Sequence, residues 1–420
     1  MNEVILSPKN KVAGQVLLPS SKSYAQRAIA LAGLSQTEAT IRRLVESDDC
    51  IAAQNIIREL GAQFVRKGDD LLLNKGIDLN TAQYLSIHCG ESGLSTRLFS
   101  AFSLLYNQPF TIHGEGSITE RTMEMVIEGL TEFGKKVESN ENKLPLIISG
   151  KSHQNEVTID GSISSQFLTG LLTVAPFLKS DTVIHVKDLK SKPYIAMTLD
   201  LLAYFGLEWS NENYEKFIVK GNQKVKNNID YTVEGDWSAA SFYVVAGAIG
   251  GKLRLKGLAK ETRQGDVAIL NAVQQAGANI KWDNGDLIVE KNTLNPIQFD
   301  ATECPDLFPP LVVLAAHAKG TSVIEGVQRL KHKESDRALT LQKECAKVGI
   351  QIEIQEDKMI VHGCGRVEVD KKVVFSSHND HRIAMAMSLF SIGANVEIKI
   401  SDAMAVNKSY PDFYKDFLTL

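Results

Sequence analysis

Ahead of each of six apolar stretches the sequence places a short polar segment: SSKSYAQR, CGESGLSTR, DGSISSQF, EGDWSAAS, ECPDLFPP and SSHNDHR. Ser, Thr, Asp and Asn at such places are natural helix N-caps, because their side-chain oxygens accept from the free N–H groups of a first turn. Lys22, Arg27, Arg97 and Arg382 have no such use. A cation at a helix N-terminus opposes the macrodipole and makes sense there when an anion shares the place. Further cations lie in polar segments of their own: Arg121 in TERT, Lys333 and Arg337 in KHKESDR, Lys408 in VNKSYPD. Each alone fits a solvated surface charge. Together they fit a cage for phosphate and carboxylate groups, which the guanidinium fork matches in geometry. Two acids could move protons, Asp306 in ECPDLF and Glu334 in KHKESDR. Their structural alternatives are an N-cap and an ion-pair partner. As catalysts they would have to lie within hydrogen-bond reach of the substrate.

The elements that carry these residues recur with a period near 70 residues. Helix-like runs end in Gly and continue into a strand at Gly61, Gly134, Gly206, Gly277 and Gly349, with spacings of 73, 72, 71 and 72. Glycine just past a helix end is the residue that adopts positive φ at no steric cost. A fixed period means one supersecondary unit used repeatedly. The helices that open near Arg27, Arg97, Gln166, Ala240, Leu307 and Arg382 are apolar almost all round, and the strands after them (ATIRRL, FTIHG, TVIHV, KLRLKG, TSVIEG, VEIKIS) are rich in β-branched residues. Helices apolar on most sides belong in a core. The expected fold is therefore α/β with two inside-out α/β domains, each of three repeated units with buried helices and outer sheets. It is not a doubly wound sheet covered by helices.

A length of 420 residues suits two domains. The N-terminal strands EVIL and KVAGQVLL have no preceding helix, and PDFYKDFLTL at the end has no following strand. The expectation is that both N-terminal strands complete the sixth unit. One lobe would then be 20–233 and the other 1–19 plus 234–420, with two crossovers acting as a hinge and the active site in the cleft between the lobes. A net charge of −4 points away from nucleic acid and anionic membranes. Five cysteines without CxxC spacing suit a reduced, cytoplasmic setting and form no zinc frame. There is no signal-peptide core and no membrane-length apolar run. The expected assembly is a monomer. GxxxxGK[ST] is absent and HGEGSIT is an incomplete dinucleotide fingerprint, so neither phosphate-loop class fits.

LPSSKSYAQRA, GESGLSTR, TERTM, GSISSQF, SKPYI, VEGDWSAASF, CPDLFP, KHKESDR, NDHRIAM and NKSYPDF, in this order, resemble the motif series of the enolpyruvyl transferases, most closely the EPSP synthases. The likeness spans nearly the whole chain. It implies transfer of the enolpyruvyl group of phosphoenolpyruvate to the 5-hydroxyl of shikimate 3-phosphate, by addition then elimination, with no metal or organic cofactor. It also implies residue roles. Lys22, Ser23, Arg27, Ser164, Ser165, Gln166, Ser191, Tyr194, Asp306 and Lys333 match shikimate-phosphate contacts. Lys22, Gly93, Arg121, Gln166, Arg337, Arg382 and Lys408 match the phosphoenolpyruvate side. Asp306 matches the base at the attacking hydroxyl, and Glu334 with Lys22 the groups that handle protons at the enol carbon.

That implied chemistry is physically coherent. Two anions must meet, and unit charges about 4 Å apart repel by roughly 4 kcal/mol at an effective dielectric near 20 unless cations neutralise them. Fixed cations also stabilise charge that develops in the transition state. The chain departs from the family at one loop, where Glu91 and Leu94 replace an Asn and a Thr. Glu91 brings negative charge toward an expected anion site. The sister branch that uses UDP-N-acetylglucosamine begins Lys-Asn and carries a loop cysteine, whereas this chain has Lys22-Ser23 and a GEGSITERT loop without cysteine. A non-catalytic repeat scaffold would spread its polar residues along an outer face. Here they gather ahead of apolar helices.

Overall fold

The computed structural model describes residues 2–331 and 333–420. His332, inside KHKESDR, and Met1, in the expected 1–19 segment, lie outside the described residues. The chain divides into two compact units, one of Ser20–Val233 and one of the residues up to Pro19 with Glu234–Leu420.

In Ser20–Val233 the repeat is strand, buried helix, parallel strand, outer helix, antiparallel hairpin. Its second copy shows the pattern. Leu85–His88 pairs in parallel with Phe110–His113, which pairs antiparallel with Lys143–Ser149, itself flanked by Lys136–Asn140. A parallel pair needs a crossover, and the helix Gly93–Ser100 supplies it. The third copy repeats this with Glu156–Asp160, Thr182–Lys187, Lys216–Val219 and Trp209–Glu212 around the helix Gln166–Val174. The first copy borrows its leading strand: Ile229–Thr232, from the far end of the unit, pairs in parallel with Ala39–Arg42.

The strands alternate. In Glu156–Asp160 the side chains of Val157 and Ile159 are buried while their neighbours are exposed, so each sheet has one dry and one wet face. The dry faces cover the helices Lys22–Leu34, Gly93–Ser100 and Gln166–Val174, whose residues form one apolar core with them. Each large aliphatic or aromatic side chain buried there contributes roughly 1.5–3 kcal/mol. Small residues let the helices approach: a Cβ on Gly170 would fall 2.4 Å from the Leu98 carbonyl oxygen. The repeat glycines Gly61, Gly134, Gly206, Gly277 and Gly349 all have φ between +78° and +98°, as a residue past a helix end requires.

The second unit follows the same plan around Trp237–Gly250, Phe308–Ala316 and His381–Ser388, with a separate apolar core. Here the N-terminal strands part company. Glu3–Leu6 does complete the sixth sheet, antiparallel to Ile398–Ser401. Val12–Leu17 instead pairs in parallel with Gly251–Lys256 and supplies the leading strand of the fourth sheet. The expectation that both strands serve the sixth unit is thus half corrected. The reason is the chain's order. The fourth unit begins directly with its buried helix and has no leading strand of its own, just as the first unit takes Ile229–Thr232. Among the described residues no helix is long and apolar enough to cross a membrane.

Candidate active site

Within Ser20–Val233 the first turns of the three buried helices are tied to one another. The Gln26 side-chain oxygen accepts from the hydroxyls of Ser92 and Ser95 at 3.0 and 2.8 Å. Arg27 donates to Thr169 Oγ1 at 3.2 Å. Arg97 Nη1 donates to Gln166 Oε1 at 3.0 Å. Ser21 and Ser92 cap their helices by accepting from the backbone N–H of Tyr24 and Ser95. The polar segments that precede apolar helices therefore do two jobs, capping and cross-linking.

Arg27 is almost wholly buried and also donates to Thr198 Oγ1 at 3.0 Å and to the carbonyls of Ser23 and Tyr194 at 2.8 and 3.2 Å. All these partners are neutral oxygens, and burial lowers its titration to about 10. A buried cation held by neutral dipoles is electrostatically ready for an anion. Lys22, the first residue of its helix, lies 2.8 Å from Asp49 Oδ2. Gly93 is hemmed by two guanidinium groups, since a Cβ there would meet Arg121 Nη1 at 2.7 Å and Arg97 Nη1 at 3.1 Å. Gln166, Gly93, Arg97 and Arg121 are thus brought together. Ser164 Oγ accepts from the Gln166 N–H at 3.2 Å, and Ser165 precedes that helix without a side-chain capping bond. Ser191 holds a left-handed backbone, φ 59°, at the start of Lys192–Tyr204, the helix that also carries Tyr194. Glu91 turns to the Ser117 N–H and hydroxyl at 3.1 and 3.2 Å, which places its charge on the turn leading to Arg121.

In the second unit the convergence is ionic. Asp306 does not cap its helix. It occupies the short turn Pro305–Leu307 and accepts from Arg337 at 2.7 Å, Arg382 at 3.0 Å and Lys333 at 3.3 Å. Burial alone would raise its titration, but Arg382, Lys333 and Arg337 outweigh that and hold the carboxylate well below its ordinary range. Burial lowers Lys333 against the pull of Asp306. Arg337 is 1% exposed and also bonds Asp380 at 2.7 Å and Glu334 at 2.5 Å. Burial opposes its charge, yet Asp380, Glu334 and Asp306 together hold it well above the usual arginine value. Asp380 caps His381–Ser388 through the Arg382 N–H. Lys408 donates to the Asn379 carbonyl at 2.8 Å. Among the described residues no group of three or more His, Cys, Asp or Glu side chains is placed to hold a metal ion.

The structure thus brings Arg27, Gly93, Arg97, Arg121, Ser164, Gln166 and Tyr194 together in the first unit, and Asp306, Lys333, Glu334, Arg337 and Arg382 in the second. Lys22, Ser23, Ser165 and Ser191 lie at helix starts, Lys22 paired with Asp49, and Lys408 bonds the loop ahead of His381–Ser388. Four partners escaped the sequence reading: Asp49, Asp380, Ser238, whose hydroxyl accepts from Arg382 at 3.2 Å, and Asp266, which accepts from Ser238. Asp380 lay in plain view within NDHR, but an acid ahead of a helix reads as a cap, and its second bond, to Arg337, depends on tertiary packing.

Two units of three repeats with helices inside are the architecture of the enolpyruvyl transferases. A solved EPSP synthase from Acinetobacter baumannii superposes with a TM-score of 0.80 at 24% identity, over 99% of this chain and 97% of its own. The enolpyruvyl transferase NikO from Streptomyces tendae gives 0.78 at 15% identity, over 100% and 97%. The profile of the EPSP synthase (3-phosphoshikimate 1-carboxyvinyltransferase) family matches residues 6–417, and the chain belongs to that family. Among its relatives, the 3-phosphoshikimate 1-carboxyvinyltransferase of Clostridium novyi (strain NT) is 38% identical over 97% of this chain and 95% of its own length. That of Photobacterium damsela subsp. piscicida is 35% identical over 99% and 98%.

Proposed function

We propose that this chain joins phosphoenolpyruvate to shikimate 3-phosphate, giving 5-enolpyruvylshikimate 3-phosphate and phosphate. The observation that carries the reading is the Asp306 carboxylate gripped by Arg337, Arg382 and Lys333. A carboxylate so clamped is a weak base. An anion arriving at the same cations would divide their charge, and the proton affinity of Asp306 would rise as the donor binds. The base would thus be switched on by its own substrate.

In the addition step the 5-hydroxyl loses its proton to Asp306 and its oxygen bonds C2 of phosphoenolpyruvate, while C3 gains a proton from Lys22 or Glu334. In the elimination C3 returns its proton to the group that gave it, the C2–O bond to phosphate breaks, and the departing phosphate takes up the proton held by Asp306. Lys22, Gly93, Arg121, Gln166, Arg337, Arg382 and Lys408 are assigned to the donor. Lys22, Ser23, Arg27, Ser164, Ser165, Gln166, Ser191, Tyr194, Asp306 and Lys333 are assigned to the acceptor. On this reading residues 20–233 take most of the acceptor, and 1–19 with 234–420 carry the phosphoenolpyruvate side through Arg337, Arg382 and Lys408. Crystals soaked with shikimate 3-phosphate test the assignment. Ser23, Arg27, Ser164, Ser165 and Lys333 should share one ligand; a ligand bound away from them would overturn it.

A further inference from the structure

Asp266 has no part in the roles assigned above. It belongs to the short turn Gly265–Ala268 and is 3% exposed. Its Oδ2 accepts from the Ser238 hydroxyl, and the oxygen of that hydroxyl accepts from Arg382 Nη2 at 3.2 Å. The same nitrogen of Arg382 donates to Asp306 Oδ2 at 3.0 Å. Asp266 Oδ1 is buried and has no hydrogen-bond partner among the described residues. Buried polar atoms are nearly always satisfied, so this one calls for an explanation. Burial, and then the charge of Asp306, push its titration up to about 7, against the pull of Arg382; Asp236 and Cys304 are the other titratable groups in electrostatic reach. A carboxylate held at such cost next to an anion-binding arginine points to use.

We propose that Asp266 is a positioning residue for Arg382. By accepting the Ser238 proton it leaves the lone pairs of that hydroxyl turned toward Arg382. The guanidinium nitrogen then has two fixed acceptors, Ser238 Oγ and Asp306 Oδ2. Without Asp266 the Ser238 O–H can rotate toward the guanidinium, where donor meets donor, and the arginine loses its seat. The proposal rests on the reading that Arg382 holds phosphoenolpyruvate.

Two effects of opposite sign must be separated. Loss of the Asp266 charge by itself favours an incoming anion; loss of the oriented acceptor disfavours it. Asp266→Ala removes both, whereas Asp266→Asn keeps a side-chain oxygen for Ser238 and removes only charge. Steady-state kinetics should show the KM for phosphoenolpyruvate rising about tenfold in Asp266→Ala, with kcat and the KM for shikimate 3-phosphate changing much less. Asp266→Asn should bring that KM back to within about threefold of the parent. Ser238→Ala, which removes the acceptor but keeps the Asp266 charge, should raise that KM at least as much as Asp266→Ala, and it gives the readout even where Asp266→Ala folds poorly. An unchanged KM in both alanine variants would overturn the inference, as would Asp266→Asn being as impaired as Asp266→Ala. Either result would leave the proposed reaction standing, whereas a parent protein without turnover would bring down both.

Discussion

Arg337 donates to Asp306 at 2.7 Å while its other nitrogens hold Asp380 and Glu334, so one guanidinium that is 1% exposed is the common partner of three carboxylates. Removing one member of a buried ionic network leaves the others charged and uncompensated, at a cost of roughly 3–5 kcal/mol. Arg337→Ala should therefore lower the denaturant midpoint strongly as well as abolish turnover. A variant with parental stability would show that water already screens these charges.

Asp306→Ala should reduce turnover by on the order of 100-fold or more, as loss of a general base does. Its fold should survive, since Arg337, the most buried of the cations it releases, keeps Asp380 and Glu334. Circular dichroism and kcat together check this, and near-parental kcat would remove Asp306 from the proposed mechanism.

Lys22→Ala should weaken use of phosphoenolpyruvate more than binding of shikimate 3-phosphate. Lys22 lies 2.8 Å from Asp49, so the variant also frees a carboxylate that repels the donor. Separate titrations with each substrate read the difference, and equal losses would contradict the assignment.

Gly93→Ala places a methyl group 2.7 Å from Arg121 Nη1 and 3.1 Å from Arg97 Nη1. The guanidinium ends can shift without disturbing the backbone. The expected outcome is a KM for phosphoenolpyruvate raised severalfold with an unchanged melting temperature. A fall in stability with unchanged KM would mean that the glycine serves packing.

Asp266 makes stability depend on pH. Its folded titration is near 7, against about 3.9 in an unfolded chain. Between those values the folded state holds the extra proton, so stability falls as pH rises through the window and levels off above it. Asp266→Asn removes this dependence. Melting temperatures should favour the variant more at about pH 8 than at about pH 5. A difference that is constant across pH would show that the group does not titrate there.

The period was legible because a helix end that needs positive φ selects glycine, and Gly61, Gly134, Gly206, Gly277 and Gly349 carry that mark. The buried helices were legible from their apolar composition, and the candidate site was drawn from cations where a helix dipole disfavours them. Strand partners were not. Val12–Leu17 reads as a strand, yet nothing in its own residues says that it joins Gly251–Lys256 rather than Ile398–Ser401. Asp266 was hidden for another reason. RQGDVAIL precedes an outer helix and looks like an ordinary capping segment, and its burial beside Ser238 arises only when two distant segments pack.

The most direct measurement is phosphate release from phosphoenolpyruvate with each candidate acceptor in turn. Release with shikimate 3-phosphate and none with UDP-N-acetylglucosamine is the predicted result. Release with the nucleotide sugar alone, or with neither, would contradict the account.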